Sequence, residues 1–325
     1  MNTAIRAAIG IAISVVALWI VLGSVDLART GDVLARSQPI FILAMFATTT
    51  LDVAARGLRW TRLLAPIAPI PYRRVLGYTF IGYLANNVLP ARLGELVRSH
   101  VLGQREGLSR TTVLGTVVVE RVIDTTLVVA IAAAAILALS VRGILANAVL
   151  LGLAFVALLV VGLAVGLAAH RIPGAGRIVA VAERWPTLLE LGRRLREGLH
   201  VAARPRVVIE AAVLGIGAWA ASIATFLLAG QAIGVELTIA QGALLSAGVA
   251  LATIIPSGPG YVGTFELTAM SIAGIFGVPP DPGFALALLV HASIAVVTLV
   301  GGLVGLATVG RRLIPAPVER PASGA

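Results

Sequence analysis

The sequence predicts an all-α, polytopic integral membrane protein with about six to eight transmembrane helices and one or two re-entrant or broken helical segments. Three observations carry this. The 325 residues are 58% hydrophobic and only 12% charged, whereas a soluble domain carries about 25% charged residues to cover its surface. The mean hydropathy is +0.99. Apolar stretches of about 20 residues, the length that crosses the hydrocarbon core as helix, recur along the chain.

Taken in order, residues 7–25 carry no charge, 38–55 only Asp52, 113–141 Glu120, Arg121 and Asp124, and 143–169 none. Two further spans are read at 207–230 and at 284–309, where His291 is the titratable group. The first stretch follows Arg6 and lacks a small-x-small cleavage site, so it reads as a retained helix rather than a signal peptide. The remaining apolar stretches are broken. Residues 75–91 end in Asn86-Asn87-Val88-Leu89-Pro90, and 239–277 are interrupted by Ile255-Pro256-Ser257-Gly258-Pro259-Gly260. Residues 1–310 thus form one membrane domain, and the Pro- and Ala-rich tail at 311–325 reads as disordered.

A pI near 11.4 would suggest nucleic acid in a soluble protein. The arginines, however, lie between apolar spans: five from Arg56 to Arg74, eight from Arg171 to Arg206, then Arg311, Arg312 and Arg320. That is the positive-inside pattern, and it excludes a nucleic-acid partner in favour of membrane lipids. It predicts cytoplasmic N- and C-termini and a hairpin at 75–98 that enters and leaves on the same side. Residues 239–277 cross twice or form a second hairpin. In the cytoplasmic loop at 170–206, Trp185, Leu188, Leu189, Leu195 and Leu199 recur at helical spacing beside arginines, which suggests an amphipathic interfacial helix. All 25 basic residues are Arg, which reads as coding bias.

Whole classes of chemistry drop out. With no Cys there is no disulfide, thiolate metal site or cysteine nucleophile. Neither metal-ligand spacing nor a phosphate-cradling loop with Lys occurs, so no metal and no cofactor are expected.

Charges inside a span cost about 3 kcal/mol each on insertion scales and are candidate functional groups by default. Glu120 and Asp124 share a helix face at i and i+4, with Arg121 three residues before Asp124. They line a headgroup cavity or, alternatively, Arg121 and Asp124 pair to fix helix packing. A second group runs through Asn87, Pro90, Arg92, Gly94, Glu95 and Arg98. Pro90 and Gly94 break the helix, Arg92 and Arg98 suit phosphate oxygens, and Glu95 can hold an arginine in place when no ligand is bound. The third comprises Pro256, Ser257, Pro259, Gly260, Gly263 and Glu266. The second and third groups share a Pro, a Gly four residues on, then a Glu, a pointer to inverted repeats around a midplane site. Asp52 reads as a local partner of Arg56, and His291 as a histidine hydrogen-bonded in the packing.

At these residues the chain resembles the flippase-like membrane domain of the lysylphosphatidylglycerol synthetase/flippase family, found at the N-terminal end of bacterial multiple peptide resistance factor. The shared pattern runs from Asn87 through Pro90, Arg92, Gly94, Glu95, Arg98, Glu120, Arg121 and Asp124 to Pro256, Ser257, Gly260, Gly263 and Glu266. The resemblance implies a bacterial inner-membrane protein that moves an anionic or aminoacylated phospholipid, or a polyprenyl-linked lipid, between leaflets. The family's soluble aminoacyltransferase domain is absent from these residues, so lipid synthesis is not implied. Two alternatives stay open: a membrane-embedded transferase acting on a lipid-linked donor, and a non-catalytic membrane partner of a separately encoded lipid-modifying enzyme.

Overall fold

The computed structural model describes residues 3–89, 93–141, 143–168, 186–253 and 257–310. Among them no strand occurs. The helices are α1 (Thr3–Ser24), α2 (Leu27–Ala35), α3 (Pro39–Leu64), α4 (Tyr72–Val88), α5 (Gly94–Arg105), α6 (Arg110–Leu139), α7 (Ile144–Ala168), α8 (Pro186–Leu199), α9 (Pro205–Ala232), α10 (Ile239–Ala252), α11 (Thr264–Ile275) and α12 (Pro280–Gly305). The chain is therefore an all-α polytopic membrane protein. Four helices, α3, α6, α9 and α12 with its continuation to Val309, are long and apolar enough to cross a membrane. The expected spans at 7–25 and 143–169 are helical as α1 and α7. The apolar part of α7, Val149–Val165, is shorter, and α1 bends by 82° into α2.

Local chemistry sets the helix ends. Pro39, Pro205 and Pro280 each occupy the first turn, where a missing N–H is no loss. Asp26 caps α2 by accepting from the Ala28 and Arg29 N–H groups, and its own N–H donates to Asp281 at 2.7 Å. This cap explains the bend, in a stretch read from sequence only as a connection. At α10, Thr238 and Gln241 form a reciprocal capping box. Within the basic loop, α8 packs on α6, where Gly115 and Gly198 bring the two backbones together. Trp185 and the tail at 311–325 lie outside the described residues.

Eight of the helices form two quartets of one order, α3–α6 and α9–α12: a long helix, a pair of half-length helices, and a second long helix. In the first, α4 and α5 fold back as a hairpin. Asn86 Oδ1 accepts from the Gly94 N–H at 2.8 Å, Gly82 meets Arg98, and Tyr78 donates to Glu106 at 2.7 Å. In the second, α10 and α11 do the same, with Gly248 against Ile272. Neither 17-residue α4 nor 14-residue α10 reaches the ~30 Å of a hydrocarbon core at about 1.5 Å per residue.

Cross-packing exchanges with the quartets. Helix α3 packs on α9, α4 packs on α12 as α10 packs on α6, and α12 packs on α3 as α6 packs on α9. The equivalent helices α3 and α9 are antiparallel: Gln38 N–H donates to Ala232 O, Thr48 bonds to Thr225, and Arg59 lies at Gly215. Antiparallel equivalents put the relating axis across the helices, which is the arrangement of an inverted repeat. The two hairpin tips meet, with the Asn87 carbonyl beside Gly260.

The core is shared between the quartets. Met45, Phe226, Leu245, Phe265 and Leu286 belong to one buried cluster, and Trp60, Leu63, Tyr78, Leu102 and Val113 to another. Outside, Trp19, Leu43, Leu151, Leu158, Ile209 and Val213 stand exposed. An apolar exterior on this scale suits lipid rather than water.

Candidate functional site

Glu120, Arg121 and Asp124 project from the middle of α6 into a network built with α3 and α5. Glu120 Oε1 accepts from Arg59 Nη2 at 2.9 Å, and its Oε2 from Arg98 Nη2 at 2.7 Å. Asp124 Oδ1 accepts from Arg59 Nη1 at 2.8 Å and from Arg56 Nη1 at 3.2 Å. Arg56 also donates to Asp52 at 2.8 Å, four residues before it. Arg121 Nη2 stands 2.7 Å from Glu95 Oε1, while its distance to Asp124 is 3.8 Å. Four arginines thus face four carboxylates, and their formal charges cancel.

Two indoles complete the site. The Arg98 guanidinium lies 4.4 Å from the Trp60 ring, and that of Arg56 lies 5.0 Å from Trp219. Trp60 Nε1 donates to Thr116 at 3.1 Å. Arg59, Arg98 and Glu120 are buried, whereas the Arg121 side chain is 40% exposed. The Glu95–Arg121 pair closes a polar cavity of about 10 Å³ lined by Thr79, Gly82, Tyr83, Asn86, Gly94, Glu95, Arg98 and Arg121. That is room for about one water molecule. A larger anion enters only if hairpin α4–α5 parts from α6.

The second hairpin carries its own polar group. Pro259 opens a short 3₁₀ turn, and Gly260 and Gly263 hold φ of +67° and +85°, the left-handed region that glycine tolerates. Glu266 Oε2 accepts from the Gly263 N–H at 2.7 Å, and its Oε1 lies 2.5 Å from His291 Nδ1. The other ring nitrogen, Nε2, lies 2.7 Å from the Gly260 carbonyl. Ser257 is buried, and its hydroxyl has no hydrogen-bond partner among the described residues. The Gly258 N–H donates to Ser14 of α1 at 2.8 Å. An apolar cleft of about 390 Å³ lies between α1 and this hairpin, lined by residues including Ile13, Val16, Thr264 and Leu267.

The structure therefore gathers Glu95, Arg98, Glu120, Arg121 and Asp124 into one network and puts Ser257 and Glu266 in a second group. Asn87 sits at the first tip, its amide donating to Thr298 at 2.7 Å. Gly94 has its predicted place, since a Cβ there would stand 2.1 Å from Gly82 O. Arg92, Pro90 and Pro256 lie outside the described residues. Arg98 is not free to meet a ligand as it stands, being held by Glu120. The main partner of Arg121 is Glu95 rather than Asp124. Arg59 and Trp60 were missed, because the arginines after residue 55 read as topology signals. Their face was legible: Asp52, Arg56 and Arg59 follow at i, i+4 and i+7, the helical period of α3.

Comparison with known proteins agrees in extent with this architecture. The lysylphosphatidylglycerol synthase TM region family matches residues 7–302. A protein named glycosyltransferase AglD, from Haloferax volcanii, is 24% identical over 90% of this chain and 53% of its own length. A protein named UPF0104 membrane protein, from Methanothermobacter thermautotrophicus, is 25% identical over 83% of this chain and 86% of its own. The chain thus spans about half the length of the first relative. No solved structure matches. With the match running from α1 into α12, the chain belongs to the family of the lysylphosphatidylglycerol synthase TM region.

Proposed function

We propose that the protein is a lipid flippase of the cell membrane, moving an anionic or aminoacylated phospholipid, or a polyprenyl-linked lipid, between leaflets. One observation carries this reading: a charge-balanced network of eight ionisable side chains in an apolar bundle, with its most exposed arginine, Arg121, at a polar cavity under a hairpin tip. Ionisable groups at such depth pair with one another and mark substrate paths. An incoming headgroup phosphate takes the place of the Glu95 carboxylate on Arg121, whose planar fork suits either oxyanion. A cationic aminoacyl substituent then meets the displaced Glu95. The two broken hairpins are re-entrant, and their touching tips separate the leaflets. Tails stay in the bilayer, and the apolar cleft beside α1 accommodates one of them.

The test is lipid retention and movement. The protein purified gently from its own membranes is examined by native mass spectrometry with lipid identification, wild type beside Arg121→Ala. The retained lipid, as a fluorescent analogue, is then followed in proteoliposomes. Retention and flipping by wild type, and loss of both in Arg121→Ala at equal protein level, are expected. Unchanged flipping in the variant would overturn the reading. A second reading, a membrane partner for a lipid-modifying enzyme, is favoured by the half-length match to a relative with a glycosyltransferase name. It predicts co-purification with such an enzyme and tolerance of every polar substitution.

A further inference from the structure

The two quartets carry equivalent ion pairs with different cations. Arg121 is the twelfth residue of α6, counting from Arg110, and His291 the twelfth of α12, counting from Pro280. Each meets the first acidic side chain of the hairpin helix before it, Glu95 of α5 and Glu266 of α11. An arginine stays charged at any pH a membrane protein meets. A histidine changes charge between about pH 5 and 8.

Both contacts of His291 are satisfied together only when two protons are shared between the ring and Glu266. The Gly260 carbonyl can only accept, so Nε2 donates to it. Glu266 Oε2 already accepts from the Gly263 N–H, and its Oε1 faces Nδ1. A second proton must lie between Nδ1 and Oε1, since without it two lone pairs would face each other. If that proton leaves to water, the remaining one satisfies either Gly260 or Glu266, not both. Phe265 stacks on the ring at 4.4 Å and holds it in place.

Several of the surrounding charges are held by other partners. On α3, Asp52 and Arg56 bind each other, and Arg59 is held by Glu120 and Asp124. On α4, Tyr78 turns to Glu106 and Tyr83 to the cavity at Arg121. Asp281 accepts from Asp26 N–H, Arg29 of α2 pairs with Asp26, and Glu210 of α9 pairs with Arg206. Asp32 lies on α2, Arg6 opens α1, and α10 bears no ionisable side chain. Among the described residues, the ion pair of His291 and that of Glu266 are with each other.

We propose that His291 and Glu266 form a proton-binding site that latches the second hairpin: protonated, it ties α12 to the tip at Gly260 and the bend at Gly263, and deprotonated it releases one of them. The first hairpin is closed by Glu95 and Arg121 instead, and an arginine keeps its charge. That the latch couples a proton to lipid movement rests on the flippase reading; the latch itself does not.

The chain has no cysteine, so single introduced thiols report cleanly. The full chain in nanodiscs is labelled with a small membrane-permeant maleimide at Val262→Cys, at the exposed end of the second tip, and separately at Leu89→Cys in the first. The ratio of the two rates removes the common pH dependence of thiolate formation. In wild-type background the ratio should rise roughly tenfold as rising pH removes the shared proton. With His291→Arg it should stay low throughout, and with His291→Phe, which keeps the ring stack, high throughout. A flat wild-type ratio overturns the proposal whether or not the variants fold, and so does an unchanged slope in both variants. No lipid has to move for this readout. Failure of flipping with a pH-dependent ratio therefore removes only the flippase reading, and a flat ratio with intact flipping removes only the latch.

Discussion

Arg98 and Glu120 form the most enclosed contact between the first hairpin and the long helix that follows it, Nη2 to Oε2 at 2.7 Å with both side chains buried and the indole of Trp60 against the guanidinium. Glu120 has a second arginine, Arg59, on its other oxygen. Its carboxylate therefore joins α3, α5 and α6 at one point.

Removing that charge leaves the buried Arg98 without its anionic partner and Arg59 with Asp124 alone. Glu120→Gln should destabilise the fold by about 3–5 kcal/mol, the usual cost of breaking a buried ion pair from one side. Thermal unfolding in detergent measures this. The double variant Arg98→Met with Glu120→Gln should recover part of the loss, because one stranded charge goes with it. A double variant no better than the single would mean that packing, not charge, dominates here.

Glu95→Gln should behave differently. Its partner Arg121 is partly exposed and keeps Asp124 nearby, so the loss of stability should be about 1 kcal/mol or less. The freed guanidinium should hold an anionic lipid more tightly than wild type does, visible as a larger lipid-bound fraction by native mass spectrometry. A smaller fraction would mean that Glu95 contacts the headgroup rather than competing with it.

Gly94 lies where a Cβ would stand 2.1 Å from Gly82 O and 2.6 Å from Asn86 Oδ1. Since the first of these atoms is backbone, Gly94→Ala must push α5 from α4. We expect loss of flipping with the helical content retained in circular dichroism. Wild-type flipping in this variant would show that the hairpin tolerates opening at its tip.

The antiparallel packing of α3 on α9 has a direct chemical readout. Thr48 and Thr225 hydroxyls are 2.9 Å apart, so Thr48→Cys with Thr225→Cys in this cysteine-free chain should cross-link in high yield under mild oxidation, within the reach of a disulfide. Thr48→Cys paired with Val213→Cys, twelve residues away along α9, should not. Equal yields would contradict the pairing that relates the two quartets.

Sequence alone determined the class of the protein. Low charge, long apolar stretches and arginines grouped mostly between them leave too little polar surface for water, so the chain had to be a helical membrane bundle. Proline and glycine marked both breaks, because a proline inside a helix removes a hydrogen bond and a glycine accepts the positive φ seen at Gly260 and Gly263. What the tertiary structure decided was partnership. Nothing in the sequence says that Glu120 joins Arg59 and Arg98 from two other helices, for ion pairing across a bundle depends on which faces meet. Local spacing favoured Arg121 with Asp124, three residues apart, yet the hairpin delivers Glu95 closer. His291 had no charged neighbour within helical reach and so read as packing. Folding back α11 brings Glu266 to one ring nitrogen and the Gly260 carbonyl to the other.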